Sequence, residues 1–317
     1  MLNQPRIVAL RLSLENAIVG QRDLLDRLVI GLLTGGHILV EGLPGLAKTT
    51  AVKALAGSVH AGFKRIQFTP DLLPGDLTGT DIYDPRQSGF CFVEGPLFHE
   101  IILADEINRA PAKVQSALLE AMQEHQITVG GVTRPLPPLF MVMATQNPLE
   151  QAGTYPLPEA QLDRFLLHVE LGYPSADEEL EILQRDRRLP GDAAPTPPVD
   201  VATVLAARQE VKQVHIDPQL ERYIVSLVGA TREAAKWLPE FADMIEVGAS
   251  PRASLAIAQT ASAHAYLQGR EYVTPDDILD VAPDCLRHRI VPGFAARMDK
   301  VSRDAIVRKL VLAVPVP

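Results

Sequence analysis

Two stretches of the chain carry side chains that could act together on a polyphosphate. The first, from Gly42 to Thr50, reads G-L-P-G-L-A-K-T-T and follows a short apolar run. The second is the acidic pair Asp105-Glu106, at the end of another apolar run. A glycine-containing loop that opens a helix offers backbone N–H groups to phosphates, and a pair of carboxylates can hold a metal ion and polarise water.

The loop has the arrangement of a phosphate-binding loop. Its spacing predicts that Lys48 reaches the β- and γ-phosphates and that the Thr49 hydroxyl ligates Mg²⁺. We expect the whole loop to contact the nucleotide: Gly42, Leu43, Pro44, Gly45, Leu46, Ala47, Lys48, Thr49 and Thr50. The strict pattern has glycine where this chain has Ala47, which predicts a negative φ and a helical conformation for that alanine. The alternative is an ordinary Gly/Pro turn between a strand and a helix.

The acidic pair lies where a nucleotide-binding sheet places its ligands, at the carboxyl end of a strand. Asp105 would hold the water shell of Mg²⁺, and Glu106 would polarise the attacking water. Asn147 follows a further apolar run, 139–145, and could orient that water or sense the γ-phosphate. By themselves these features also fit solvated or capped strand ends. Together with the loop, the acidic pair forms a two-part signature.

The surrounding pattern predicts the elements that position these residues. Buried strands are expected at 38–40, 65–69, 100–106, 139–145 and 166–171, with helices at 49–57 and 112–124. Alternation over 89–95 indicates one arm of a hairpin, and alternation about Gly130-Gly131 indicates another. Residues 7–33 look helical, with an interruption at 18–21. That interruption is either a plain turn or a segment lying over an adenine, made of Val19, Gly20 and Gln21.

Composition limits the classes of protein that the chain could belong to. With 317 residues, 47% of them hydrophobic, it has room for two domains and a substantial core. The formal net charge of −9 makes nucleic acid an unlikely partner. Cys91 and Cys285 match no metal-ligand spacing, which favours a reducing, cytoplasmic setting. No apolar run approaches a membrane span, so we expect no membrane insertion.

The second half of the chain differs in character from the first. Tyr173-Pro174 closes the first domain, residues 1–173. A connecting helix and a Pro/Gly-rich linker are expected over 174–198, and a helical domain over 199–317. Thr274-Pro275-Asp276-Asp277 has the composition of a helix start.

With these parts in order, the chain resembles the MoxR group of AAA+ ATPases. The resemblance rests on G-L-P-G-L-A-K-T, F-T-P-D-L-L-P-G-D-L-T-G, G-P-L-F, L-A-D-E-I-N-R-A-P, Q-S-A-L-L-E-A-M, A-T-Q-N-P and Y-P-L-P-E-A-Q-L-D-R-F. It covers nearly all of the N-terminal domain. Alanine before the lysine is similar to that group's own habit.

The resemblance implies an α/β P-loop domain, with a parallel sheet between helices, followed by an all-helical lid domain. It implies a ring, usually hexameric, with ATP at subunit interfaces. Asn147 resembles the sensor-1 residue, and Arg164 resembles an arginine finger that acts on a neighbour's nucleotide. The G-A-S-P-R-A box at 248–253 is similar to the sensor-2 box and assigns Arg252 to the phosphates, in its own site or a neighbour's. The hairpins at about 86–95 and 126–136 resemble the helix-2 insert and the pre-sensor-1 hairpin.

The expected function is therefore Mg²⁺-dependent ATP hydrolysis that drives chaperone-like remodelling of a partner protein. The family suggests a partner with a von Willebrand factor A domain. A nucleic-acid motor or metal-chelatase motor subunit is one alternative. A nucleotide-gated scaffold that does not hydrolyse ATP is another, which the intact set of Lys48, Asp105, Glu106, Asn147 and Arg164 disfavours.

Overall fold

The computed structural model describes residues 1–43, 45–86, 88–148, 153–186 and 199–317. Its contacts divide the chain into two compact units. The first comprises Ala9–Phe165 and Val169–Leu205, and the second comprises Met1–Val8, Leu166–His168 and Ala206–Pro317. Most of the predicted linker, 187–198, lies outside the described residues. So does Pro44 of the predicted phosphate loop.

The strands lie mostly in the first half of the chain. They are β1 (Ile38–Gly42), β2 (Phe63–Gln67), β3 (Gly79–Asp84), β4 (Gly89–Glu94), β5 (Ile101–Asp105), β6 (Gln126–Val129), β7 (Val132–Pro135), β8 (Met141–Gln146), β9 (Leu167–Leu171), β10 (Ile245–Val247) and β11 (Val291–Pro292). The main sheet has the order β2-β5-β8-β1-β9, and the pairings of β2 with β5, β5 with β8 and β1 with β8 are parallel. The predicted parallel sheet is confirmed, with strand ends within two residues of those expected.

The helices of the first unit precede, separate and follow these strands along the chain. They are α1 (Gln4–Ala17), α2 (Arg22–Thr34), α3 (Lys48–Ser58), α4 (Pro74–Thr78), α5 (Ala112–Glu124), α6 (Glu159–Leu162), α7 (Ala176–Asp186) and α8 (Val201–Val211), of which α1 begins and α8 ends in the second unit. The predicted helix at 112–124 has the expected ends. The apolar faces of α5 and of the central strands form one core cluster that includes Leu118, Phe140 and Phe165. Burial of this surface is the main term that stabilises the sheet.

Two hairpins project from the first unit. Strand β4 contains the predicted arm 89–95 up to Glu94 and pairs with β3, from Gly79 opposite Glu94 to Asp84 opposite Gly89. Strands β6 and β7 pair about Gly130-Gly131, both of which have positive φ, as a tight hairpin turn requires. The guanidinium of Arg134 lies 3.7 Å from the centre of the Phe92 ring, so the two hairpins contact each other.

The second unit is mainly helical. Its remaining helices are α9 (Pro218–Arg232), α10 (Ala234–Trp237), α11 (Pro251–Leu267), α12 (Pro275–Leu286), α13 (Phe294–Met298) and α14 (Arg303–Ala313). The predicted start at Thr274 is a capping box with Asp277, and Ser250 caps α11. The short antiparallel pair β10–β11 is an addition to the helical pattern that the sequence predicts.

Along the described parts of the chain, every helix is too short or too polar to span a bilayer.

Candidate functional site

The phosphate-loop segment joins β1 to α3, as the sequence predicts. Strand β1 is an inner strand of the sheet, its apolar residues Ile38, Leu39 and Val40 are buried, and it ends at Gly42. Lys48 begins α3, and its Nζ donates a 2.7 Å hydrogen bond to the carbonyl oxygen of Gly42. The lysine side chain therefore folds back over the loop, towards the space that the loop encloses.

The conformation predicted for Ala47 is wrong. This residue is not helical but left-handed, with φ +56° and ψ +15°, and it precedes the first helical residue. Gly45 also has a positive φ, of +88°, so two left-handed residues within three reverse the chain before α3 begins. Glycine, which the strict pattern has at this position, adopts a left-handed conformation without strain. Alanine adopts it here at a cost of about 1–2 kcal/mol in conformational free energy.

The acidic pair lies at the carboxyl end of β5, beside the end of β8. Asp105 Oδ1 accepts a 2.6 Å hydrogen bond from Thr145 Oγ1. The backbone N–H of Glu106 donates to the same hydroxyl oxygen at 2.9 Å. Glu106 itself is left-handed, with φ +58°, which turns the chain away from the strand. One buried threonine on β8 therefore fixes both members of the pair.

Two residues of β2 complete the polar edge, and sequence analysis missed both of them. Arg65 donates to Asp105 Oδ2 from Nη2 at 2.6 Å and from Nε at 3.1 Å. Gln67 donates to Glu106 Oε2 at 2.7 Å, and Arg109 Nη1 donates to the same oxygen at 2.9 Å. Arg65 and Gln67 are two apart on a strand, so they share a face. That spacing, on a strand beside the acidic pair, was the available signal.

The acidic pair, Thr145 and Arg65 line one cavity of about 350 Å³ in the first unit, together with Lys48. Its walls are formed by Gly45, Ala47, Lys48, Thr49, Thr50, Arg65, Asp105, Glu106, Thr145, Gln146 and Asn147. The structure thus brings together the phosphate loop, the acidic pair and the residue that resembles sensor 1. Asn147 directly follows β8, so it lies at the same edge of the sheet as Asp105.

The electrostatics of the cavity centre on Lys48. Its burial lowers the pKa of the ammonium, and the nearby Asp105 and Glu106 partly offset this effect. A cation held at an energetic cost in a half-buried cavity is expected to gain from an incoming anion. The cavity therefore suits a negatively charged ligand.

Val19, Gly20 and Gln21 form a tight break between α1 and α2, where Gly20 and Gln21 have φ of +67° and +79°. Gln21 borders a second cavity of about 260 Å³ in the same unit, lined by Gln21, Arg22, Asp23, Glu170, Leu171, Gly172, Tyr173, Pro174 and Glu178. Leu171 packs so closely on Gly42 that a Cβ on that glycine would lie 2.9 Å from the Leu171 Cβ. The second cavity is thus adjacent to the start of the phosphate loop. Its suggested role beside an adenine stays a prediction.

The two remaining predicted site residues lie elsewhere. Arg164 follows α6 in the first unit, is half-buried and is not part of the cavity wall around Lys48. Arg252 is in the first turn of α11, in the second unit. Its backbone N–H donates to Ser250 Oγ at 3.2 Å, which caps the helix. The trans role of Arg164 and the phosphate role of Arg252 stay predictions.

The donor set of the cavity fits Mg²⁺. This ion takes oxygen ligands and is usually held by one or two carboxylates together with substrate phosphates. Thr49 offers a hydroxyl and Asp105 a carboxylate on the same cavity wall. Among the described residues, no cluster of three or more His, Cys, Asp or Glu side chains forms a metal site built from protein alone.

Comparison with known proteins places this arrangement in a family. Residues 37–167 match the family model of ATPases associated with various cellular activities, and residues 241–310 match the AAA lid domain. The chain is 45% identical over 306 residues to chaperone MoxR1 of Mycobacterium tuberculosis, covering 96% of this chain and 81% of that protein. It is 30% identical over 342 residues to protein MoxR of Methylorubrum extorquens, covering 100% and 97%.

The fold has a counterpart among solved structures. A crystal structure from Cytophaga hutchinsonii superposes with a TM-score of 0.92 at 45% identity, covering 100% of this chain and 96% of that one. Family matches, identity over nearly the whole length and the shared fold agree with the P-loop, acidic pair and sheet order described above. The chain belongs to the MoxR family of AAA+ ATPases.

Proposed function

We propose that this protein is an Mg²⁺-dependent ATP hydrolase that assembles into a ring, most simply a hexamer, and remodels a partner protein. The observation that carries the hydrolase role is the shared cavity of Lys48, Thr49, Asp105 and Glu106. A phosphate-binding loop and a carboxylate pair face the same space, which is what phosphoryl transfer to water requires. We further propose residues 1–173 as the nucleotide-binding domain, 174–198 as the connecting segment and 199–317 as the lid.

Six side chains of the cavity wall have a proposed task. Lys48 leaves the Gly42 carbonyl and binds phosphate oxygens, while loop N–H groups bind the rest of the polyphosphate. Thr49 and Asp105 would hold Mg²⁺, and the ion would supply positive charge to the phosphates. Glu106 accepts a proton from the attacking water, and Asn147 orients that water. Thr145 keeps the Asp105 carboxylate and the Glu106 backbone in place.

The proposed role of Arg164 is the reason why hydrolysis would require assembly into a ring. It does not line its own chain's cavity, so in this proposal its guanidinium acts on the nucleotide of a neighbouring subunit. A positive charge on the γ-phosphate is worth roughly 10³–10⁵ in rate in other nucleotide hydrolases. Hydrolysis would then depend on assembly. Arg252 of the lid unit is proposed to contact phosphate as well.

Three variants test the hydrolase proposal. Lys48→Ala should lose ATP binding, whereas Lys53→Ala, which removes an exposed lysine from the same helix, should keep it. Glu106→Gln should bind ATP and lose turnover, with exposed Glu120→Gln as its matched control. Binding without turnover in the wild-type protein would identify a nucleotide-gated scaffold instead.

Mixing variants tests the trans arrangement. Arg164→Ala alone and Glu106→Gln alone should each be nearly inactive. In mixed rings, some interfaces pair an intact Glu106 with a neighbour's intact Arg164, so part of the activity should return. A mixture as inactive as its components would refute the trans role.

The remodelling role is supported by the β3–β4 hairpin. This hairpin exposes the apolar side chains of Ile82, Tyr83, Phe90 and Val93, and the Tyr83 and Phe90 rings contact each other at 5.5 Å between centroids. Exposed apolar groups gathered on one element indicate a binding surface. The proposed client is a cytoplasmic protein, for which the family suggests one with a von Willebrand factor A domain.

Client binding can be tested with a stalled motor. Glu106→Gln protein in ATP should retain a client during affinity capture, and the same protein carrying Tyr83→Ser and Phe90→Ser should lose it. An unchanged set of captured proteins would remove the hairpin from the client surface.

A further inference from the structure

We propose that Arg65 is a built-in competitor of Mg²⁺: its guanidinium occupies Asp105 in the nucleotide-free protein, and the metal ion must displace it. The inference rests on the proposed function, because it assigns a task to a residue of the same cavity. Arg65 belongs to neither the phosphate loop nor the acidic pair, and its role follows from the contacts of β2 with β5.

The contacts show that both Asp105 oxygens are engaged within the chain. Oδ1 accepts the hydrogen bond from Thr145, and Oδ2 accepts two from one edge of the Arg65 guanidinium, at 2.6 and 3.1 Å. Arg65 Nη2 also donates to Gln67 Oε1 at 2.9 Å, which steers the guanidinium towards β5. The pairing of β2 with β5 places Gln67 opposite Asp105 and so brings this edge within reach.

Charge explains why the metal ion and Arg65 exclude each other. Mg²⁺ is a hard cation that binds carboxylate oxygens directly or through the waters that it keeps, and either contact needs an oxygen of Asp105. A guanidinium on the same oxygen would place a third positive charge within a few ångströms of the ion, where repulsion is strong even near a protein surface. The carboxylate can therefore hold one of the two cations well, but not both.

Of the two partners, Arg65 is the one that can leave. Asp105 is only 15% exposed and is anchored by a buried threonine, whereas the Arg65 side chain is 48% exposed and ends in solvent. Ion pairs with an exposed partner are weak, so a divalent ion that arrives with nucleotide can replace this one. Until then, Arg65 neutralises one of two adjacent carboxylates and lowers the affinity of the site for the metal ion.

The experiment measures how nucleotide binding depends on Mg²⁺. A fluorescent, non-hydrolysable ATP analogue is titrated with MgCl₂ at constant ionic strength, using the wild-type protein, Arg65→Met, Arg65→Lys and Lys64→Met. Lys64 is exposed on the same strand, beside Arg65, so its loss removes the same charge without touching Asp105. The readout is the Mg²⁺ concentration at half-maximal binding, which needs no turnover.

Arg65→Met should lower the half-maximal Mg²⁺ concentration by about twofold to fivefold, the range that corresponds to the strength of an exposed ion pair. Arg65→Lys should lie between this variant and the wild type, and Lys64→Met should match the wild type. If the wild-type protein binds the analogue and Arg65→Met has the same half-maximal Mg²⁺ concentration, the inference is overturned. A loss of affinity at saturating Mg²⁺ in that variant would also overturn it, because Arg65 would then contact the nucleotide. No binding to the wild-type protein at any Mg²⁺ concentration would instead refute the proposed function.

Discussion

Thr145 holds Asp105: its hydroxyl donates a 2.6 Å hydrogen bond to Asp105 Oδ1 from the neighbouring strand β8. The Thr145 hydroxyl oxygen also accepts the backbone N–H of Glu106 at 2.9 Å, so a single buried side chain sets the positions of the proposed metal ligand and the proposed base. Residues that orient metal ligands typically contribute 10- to 100-fold to activity or metal affinity.

Replacing Thr145 by valine keeps the shape and removes the hydroxyl. We expect ATP turnover to fall about 10- to 100-fold, and the stranded N–H of Glu106 to cost about 1–3 kcal/mol of unfolding free energy. Thr145→Ser, which keeps the hydroxyl, should stay near the wild type. Steady-state hydrolysis and thermal melting of both variants provide the check. Full activity in Thr145→Val would show that the hydroxyl does not position the site.

The left-handed conformation of Ala47 predicts an order among substitutions. Ala47→Gly should leave nucleotide affinity near that of the wild type, because glycine readily adopts the left-handed conformation that Ala47 has in the loop. Ala47→Val should bind nucleotide about tenfold more weakly, since a β-branched residue is strained further at positive φ. Equal affinity in the glycine and valine variants would contradict the φ of +56°.

The charged Lys48 that binds nucleotide should lower the stability of the nucleotide-free protein. Because burial lowers the pKa of its ammonium, the charged form is less favourable in the folded protein than in the unfolded chain. Between this lowered pKa and 10.5 the unfolded state binds more protons, so stability rises with pH across that window; below the window the charged lysine is a fixed cost.

Lys48→Met should therefore melt no lower than the wild-type protein without nucleotide, while losing about 10- to 100-fold or more in ATP affinity. Wild-type affinity should fall as pH rises through the lowered pKa. A melting temperature well below that of the wild type would show that the hydrogen bond to Gly42 outweighs desolvation.

Asp277 is expected to be the main acid-sensitive group of the second unit. It is fully buried and accepts hydrogen bonds from both terminal nitrogens of Arg270, at 2.7 and 2.6 Å, and from His264 at 2.6 Å. Burial alone would raise the pKa of this carboxyl, but the bonds from Arg270, His264 and Thr274 outweigh it and hold the pKa well below its usual value.

A carboxyl with a depressed pKa stabilises the fold above its unfolded value of about 3.9 and loses this effect as pH falls towards the folded value. Asp277→Asn should cost about 1.5–3 kcal/mol, because the partly exposed Arg270 loses its charged hydrogen-bond acceptor. It should also flatten the loss of stability below about pH 4. Trp237, the only tryptophan, lies in the second unit and reports its unfolding by urea at each pH. Asp276→Asn is the neighbouring control and should change little.

Much of the fold could be predicted from local signals. The helix at 112–124 shows a helical period of apolar residues, and the strands that end at Gly42 and Asp105 each carry a short run of buried apolar residues. The turn at Gly130-Gly131 has the residues that a tight hairpin requires. Such signals depend on a few neighbouring residues, so the sequence displays them directly.

The spacing of Arg65 and Gln67 shows that they share a face of β2, but their roles depend on the pairing of β2 with β5, about forty residues away in the chain, which no local pattern shows. The conformation of Ala47 was mispredicted for a related reason: the loop's reversal, and not the preference of alanine, decides its φ. By itself, the sequence determined the phosphate loop, the acidic pair and the elements that carry them, because short-range spacing encodes each one. Only the tertiary structure decided which cation rests on Asp105 and which hydroxyl holds it, because strand order in a parallel sheet joins residues that no local pattern connects.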